Sequence, residues 1–181
     1  RKRVLLAIYG IGTNIGLKAI NKGNKDISYD DLLYTKRKFI NTSGVRNAIT
    51  KVINRLLIIR SPVIWSEDTM SCICDSTLVG VMDQNLVAQW HPRYRERGVM
   101  IYWHVDKKST CIYSQIKTCL SSEVGAMMAG ILRHDTQMNL SQAYMDTNGQ
   151  SLPGFGFSYL LHVSLLPRLK NIYKQKLYYP Y

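Results

Sequence analysis

The spacing of apolar residues changes character near Pro62. Before it, the clearest pattern is helical. Val45, Ala48, Ile49, Val52, Ile53, Leu56 and Leu57 recur at i, i+3, i+4 and i+7, which predicts one apolar stripe along a helix. Arg46, Lys51, Arg55 and Arg60 fall off that stripe. Thr42 or Ser43 can cap its start, and Ser61-Pro62 ends it, because a residue before proline avoids the helical region. A shorter helix is predicted near 28–40, with Ser28 as cap and Asp31 three residues on in the manner of a capping box. Residues 4–60 read as helical overall. The glycines at 10, 12, 16 and 23 predict a broken, turn-rich stretch over 9–27.

After Pro62 the pattern favours strands. "SCICDS" is a short β-compatible run ending in Asp75. "GVMIYWHV" (98–105) is rich in aromatic and branched residues, and "STCIYSQI" (109–116) follows it across "DKK", which predicts a hairpin. Ser121 or Ser122 caps a helix through His134, with Val124, Met127, Met128, Ile131 and Leu132 as its stripe and Glu123 at the positive end of its dipole. "QAYMD" predicts a fourth strand ending in Asp146, "GFGFSYLLHV" a helix weakened by Gly154 and Gly156, and "SLLPRL" a last strand. The order is strand, hairpin, helix, strand, helix, strand. It predicts an α/β fold with a mixed sheet flanked by helices. The division expected is a basic helical segment, 1–61, and a sheet-containing core, 62–181.

Composition narrows the function. The chain has 181 residues, 46% of them hydrophobic, enough for a packed core. No apolar run reaches the 18 or so residues of a membrane helix. The start "RKRVLLAIYGIG" lacks a leading Met and a plausible cleavage region, so the chain reads as a piece of a longer protein. Cys72, Cys74, Cys111 and Cys119 have no zinc spacing and read as free thiols in a reducing cytoplasm. The net charge is +12, and it is uneven. Residues 1–60 hold 13 Lys/Arg against three Asp, whereas residues 61–181 hold 11 against nine acidic residues. A basic first third on a nearly neutral body fits a polyanionic partner, with a solubilising surface as the plainer alternative.

Two aspartates carry the candidate chemistry. Open α/β sheets place ligands at strand ends, and Asp75 and Asp146 would lie together if the first and fourth strands are neighbours. Paired carboxylates repel unless a cation lies between them, and their hard oxygens suit Mg²⁺ or Mn²⁺. Such ions serve phosphodiester displacement. Taken alone, an Asp before Ser-Thr or Thr-Asn-Gly also reads as a turn residue. Asp83 fits a helix cap and Asp106 a turn, and the histidines at 91, 104, 134 and 162 share no zinc-site spacing. Trp90 and Trp103 read as core.

A resemblance sharpens this picture. "LLAIYGIGTNIGLKAI", "DQNLVAQWHPRYRERGVMIYWHVDKKSTCIYSQIKTCLSSEV", "GILRHDT", "YMDTNGQS" and "LLPRLKNIYKQKLYYP" together resemble the C-terminal catalytic part of the Tn-three-type transposases, the DDE enzymes of replicative class II bacterial transposons. The resemblance implies an RNase H-like catalytic fold. It implies an enzyme that nicks the 3′ ends of transposon terminal inverted repeats and joins them to target DNA with Mg²⁺ or Mn²⁺. It also implies self-association of the full-length enzyme, no membrane partner, and a place at the nucleoid of the bacterial cytoplasm.

By position, the resemblance makes Asp75 and Asp146 the catalytic and metal-binding aspartates. It puts the third family acid, a Glu, downstream of "LYYP", so this chain alone is expected to be inactive. The DNA-facing candidates are Arg46, Lys51 and Arg55 on the long helix, Arg93, Arg95 and Arg97 in "HPRYRER", and Lys107 and Lys108 in "DKK". There are departures. Thr77, Leu78 and Val79 replace basic and aromatic residues, Thr147-Asn148 replaces Ser-His, Gly154 and Gly156 stand where the family tends to have small helix-friendly residues, and Glu96 stands where Gly is usual. They leave open a non-catalytic DNA-binding remnant of a decayed transposase gene.

Overall fold

The structure, a computed structural model, describes residues 1–24, 26–65, 70–82 and 84–176. Asp83 and the "LYYP" end of the last motif lie outside the described residues. The chain forms two compact units, Arg1–Val52 and Ile53–Tyr181.

The first unit is helical. Helices α1 (Lys2–Gly12), α2 (Leu17–Gly23) and α3 (Tyr29–Phe39) enclose a small core of Ala7, Ile20, Ile27 and Leu32. The Ser28 hydroxyl accepts from the Asp31 amide at 3.1 Å, as the capping-box spacing predicts. The stretch 9–27 is broken as expected, between α1 and α2 where Gly16 takes φ +85°, but Gly10 and Gly12 do not make the break. Helix α1 continues through Gly10 and Gly12, and a Cβ at Gly10 would meet Ile20 Cγ1 at 2.9 Å. Gly10 therefore allows α1 and α2 to approach closely; it does not break the helix.

Helix α4 (Thr42–Ile59) carries the predicted stripe, and the boundary between the units falls within it. Its cap is Asn41, just before both candidates: Asn41 Oδ1 accepts from the Gly44 amide at 2.8 Å. The stripe is only partly used. Ile53 is buried and Leu57 packs beside it, but Val45, Ile49, Val52 and Leu56 are exposed. Periodicity records which face is apolar; whether another element lies on that face depends on the chain elsewhere. A single turn, α5 (Pro62–Trp65), follows.

The second unit is built on a mixed six-stranded sheet: β1 (Ser71–Gly80), β2 (Gln89–His91), β3 (Glu96–Asp106), β4 (Cys111–Lys117), β5 (Gln142–Met145) and β6 (Ser164–Pro167). β3 pairs antiparallel with β1 on one edge, and its other edge is shared by β2 near Gly98 and β4 from Met100 to Val105. β5 pairs parallel with β1, and β6 parallel with β5. Helices α6 (Glu123–Arg133) and α7 (Leu152–Leu160) make the crossovers that parallel pairing requires. The mixed α/β class and the order of the main elements agree with the apolar pattern. Two features do not. β2 was not anticipated, because three residues are too few to show alternation. β1 also runs five residues past Asp75, since Ser76 to Gly80 keep pairing with Gly98 to Tyr102.

Cys72, Cys74, Tyr102, Met127, Ala143 and Met145 form the centre of the core. All four cysteines are free thiols, Cys72 and Cys74 buried. Two buried polar groups need an account. His104 is fully buried, and because its Nε2 lies 3.1 Å from the Met127 carbonyl, that nitrogen must carry the hydrogen. Its Nδ1 has no partner. Burial lowers the His104 pKa to about 4, opposed by the bond to Met127. The ring fits against α6 only because residue 130 is glycine: a Cβ there would stand 1.9 Å from His104 Cε1. Asp106 is also buried. It accepts from the Lys108 and Thr110 amides at 2.9 and 2.7 Å and pairs with the Arg60 guanidinium, so its role is to hold the β3–β4 turn.

These contacts generate three expectations. Gly130→Ala should destabilise by about 3 kcal/mol in denaturant melts, as overpacking does, and adding His104→Ala should recover part of the loss. Arg60→Ala should cost about 3–5 kcal/mol by leaving the Asp106 carboxylate buried without its counter-charge, and more than Asp106→Asn. Because His104 takes its proton only near pH 4 in the folded state, against 6.5 ordinarily, the unfolded chain binds it first on acidification. Stability on the order of 3 kcal/mol should drain away from about pH 6.5 to 4, and His134, lowered by burial, adds in the same sense. Thermal melts across that window, with His104→Leu flattening the slope, test this.

Candidate active site

The parallel ladder between β1 and β5 ends at Cys74 opposite Met145. The next residue on each strand is an aspartate. Adjacent strands lie about 4.8 Å apart, so Asp75 and Asp146 are neighbours across the sheet. Cys74 and Met145 are buried and both aspartates are exposed. This is the alternation of a strand with one face in the core. After Met145 the chain turns through the short 3-10 segment Thr147–Gly149, whereas β1 continues along β3. Asp75 is thus not at a strand end, as the sequence reading had it. It lies mid-strand, at the point where the parallel neighbour turns away.

Both aspartates line one open cleft of about 570 Å³. Its walls include Ser76, Arg93, Tyr94, Lys117, Glu123 and Asn148. Asp75 Oδ1 accepts from the Ser76 amide at 2.7 Å. Glu123, at the first turn of α6, accepts from Ser76 Oγ at 2.7 Å and from Asn148 Nδ2 at 2.9 Å. Lys117 Nζ stands 3.8 Å from Glu123, with the lysine side chain only 6% exposed. Tyr102 lies beneath in the core, its hydroxyl without a partner. Burial first, reinforced by the nearby Cys74 and the carboxylates of Glu123 and Asp75, pushes its phenol pKa upward.

The structure divides the predicted DNA-facing residues. Of these, Arg93 lines the cleft; Arg93 and Arg95 lie in the turn between β2 and β3, and Arg97 is the second residue of β3, opposite Trp90. Lys107 and Lys108 lie at the far end of β3, in the turn held by Asp106, and do not line the cleft. Arg46 and Lys51 belong to the first unit, and Arg55 to the second. All but Lys108 are well exposed. Sequence reasoning missed Lys117 and Asn148 and gave Glu123 only a helix-dipole role. Local sequence offers one signal for them: Glu123 follows a Ser cap directly, and Asn148 lies two residues after Asp146. Their convergence is tertiary.

Among the described residues, no cluster of three or more His, Cys, Asp or Glu side chains is close enough to hold a metal ion. Two adjacent exposed carboxylates nevertheless fit Mg²⁺ or Mn²⁺. Mg²⁺ commonly keeps several waters and takes one or two protein carboxylates together with phosphate oxygens from a substrate. The open cleft leaves room for both.

Comparison with known proteins gives a consistent result. The family model described as the Tn3 transposase DDE domain matches residues 1–181. The transposase for transposon Tn1546 of Enterococcus faecium is 24% identical over 176 residues, covering 97% of this chain and 18% of that protein. The transposase for transposon Tn501 of Pseudomonas aeruginosa is 21% identical over 181 residues, covering 99% of this chain and 18% of that protein. The chain thus spans about a fifth of the length of these relatives. Among solved structures, a piggyBac transposase synaptic complex with hairpin DNA aligns with a TM-score of 0.46 and 11% identity, over 92% of this chain and 41% of that one. No helix among the described residues is long and apolar enough to cross a membrane.

Proposed function

The chain belongs to the Tn3 transposase DDE-domain family, and on that premise we propose that it is the part of a DNA transposase that presents two metal-binding aspartates to transposon-end DNA. The carrying observation is the β1–β5 register, which sets Asp75 beside Asp146 in a cleft that also holds Arg93 and Lys117. An antiparallel β1–β3–β4 set continued by parallel β5 and β6 supports reading the sheet as RNase H-like.

Asp75 and Asp146 would hold Mg²⁺ or Mn²⁺, which when bound supplies charge neutralisation at a phosphodiester undergoing displacement. The chain's own residues do the rest. The two carboxylates fix where a phosphate can approach. Arg93 at the mouth and Lys117 in the wall offer positive charge to the DNA backbone. The other candidate cations, Arg46, Lys51, Arg55, Arg95, Arg97, Lys107 and Lys108, add sequence-independent attraction. In this reading the basic helical segment braces or contacts double-stranded DNA, namely terminal inverted repeats and target. The activity is 3′-end nicking and strand transfer at the nucleoid, in a self-associated enzyme. With two carboxylates side by side and no third ligand among the described residues, the 181 residues alone should bind metal but not cleave.

Mn²⁺ binding measured by calorimetry should be lost in Asp75→Ala and in Asp146→Ala, with folding retained by circular dichroism. Unchanged binding in either variant would remove that residue from the metal site. Nicking of inverted-repeat DNA by the isolated chain would overturn the need for a further acid. DNA binding that persists equally in both variants and without Mg²⁺ would favour the remnant reading.

A further inference from the structure

The carboxylate of Glu123 touches both segments that carry the site aspartates. Its Oε1 accepts from Ser76 Oγ at 2.7 Å, next to Asp75, and its Oε2 accepts from Asn148 Nδ2 at 2.9 Å, two residues after Asp146. These residues come from different elements: the middle of β1, the turn after β5, and the first turn of α6. The parallel ladder that holds β1 to β5 has already ended one residue earlier, at Cys74 and Met145. Past that point β1 and the turn are tied through the side chains of Ser76 and Asn148. Glu123 supplies that tie. Its own position is set by α6, whose Ser122 caps the helix at Gly125 and whose Val124, Ala126 and Met127 are buried. Lys117 at 3.8 Å, nearly enclosed, balances its charge.

We propose that Glu123 is a positioning residue of this site, clamping Ser76 and Asn148 so that Asp75 and Asp146 keep the separation a divalent ion needs, without itself ligating the ion. The inference rests on the metal-binding reading above. Two observations favour a clamp over a ligand. Both carboxylate oxygens are already engaged, and Glu123 is not gathered with the aspartates into a three-ligand cluster. Groups that orient a ligand from outside the coordination shell commonly change metal affinity 10- to 100-fold when removed.

Calorimetric titration of the full 181-residue chain with Mn²⁺, alongside thermal melts, tests the clamp. Glu123→Ala should weaken Mn²⁺ binding roughly 10- to 100-fold. Glu123→Gln should keep most of the affinity, because an amide still accepts from Ser76 and can exchange a bond with a flipped Asn148 amide. Ser76→Ala should add little to Glu123→Ala, since the two remove one shared contact. Wild-type affinity in Glu123→Ala overturns the proposal. So does a Glu123→Gln chain as impaired as Glu123→Ala, which would make the carboxylate a ligand. A wild-type chain that binds no Mn²⁺ removes the metal reading itself, and the clamp with it. Asp75→Asn separates the cases: it abolishes binding if the metal reading holds, whatever Glu123 does.

Discussion

The parallel pairing of β1 with β5 is the constraint on which the candidate site depends. Asp75 and Asp146 are 71 residues apart in the chain, and nothing local holds them together. A parallel pair needs a long crossover, and the crossover here consists of the β3–β4 hairpin and α6. Its register is fixed from below. Cys72 and Cys74 on β1 and Ala143 and Met145 on β5 are buried in one core. A slip by one residue would turn these outward and drive the aspartates into the core, where an unpaired carboxylate is strongly disfavoured. The hydrophobic face of the sheet therefore determines where the two charges stand. The site is a by-product of alternation in two strands and of their adjacency.

The same core tolerates several buried polar groups, each matched to a particular neighbour. His104 fits against α6 because Gly130 leaves space for it, and it remains neutral because burial opposes its charge. Asp106 is held by Arg60 and by two backbone amides of the turn it closes. These groups do not line the cleft. Together they make the antiparallel half of the sheet sensitive to acid and to small changes in volume, whereas the aspartates themselves are exposed and free to meet a hydrated ion. Stability and candidate chemistry thus rest on different acidic residues, although Asp75 and Asp106 sit on paired strands.

Positive charge is arranged on more than one scale. Most of the excess lies in residues 1–60, where it is diffuse and fits attraction to a polyanion without sequence reading. At the cleft it is sparse: Arg93 in the β2–β3 turn and Lys117 at the end of β4. In the proposed reading the two aspartates take a divalent metal first and phosphate second, because the acids alone would repel the DNA backbone.

Much of this was legible in the chain itself. Helical spacing over 42–59, the Ser28 and Ser122 caps, the hairpin from aromatic β3 into β4, and the strand before Asp146 all follow from short-range pattern. Side-chain periodicity and capping are local physics and need no partner. The family likeness rests on a long, specific stretch and names the two aspartates by position. What the sequence could not supply is anything set by a neighbour distant in the chain. It misjudged Asp75 as the end of a strand, because continuation to Gly80 depends on pairing with β3. It left α4 with a stripe that is only half covered. It gave Glu123 a helix-dipole role, because the hydroxyl and amide that meet its carboxylate lie 47 and 25 residues away. Sequence determined which residues form helices and strands and which carry charge; the tertiary structure alone decided which of those charges meet, since adjacency between strands is a property of the packed core and is written in no single segment.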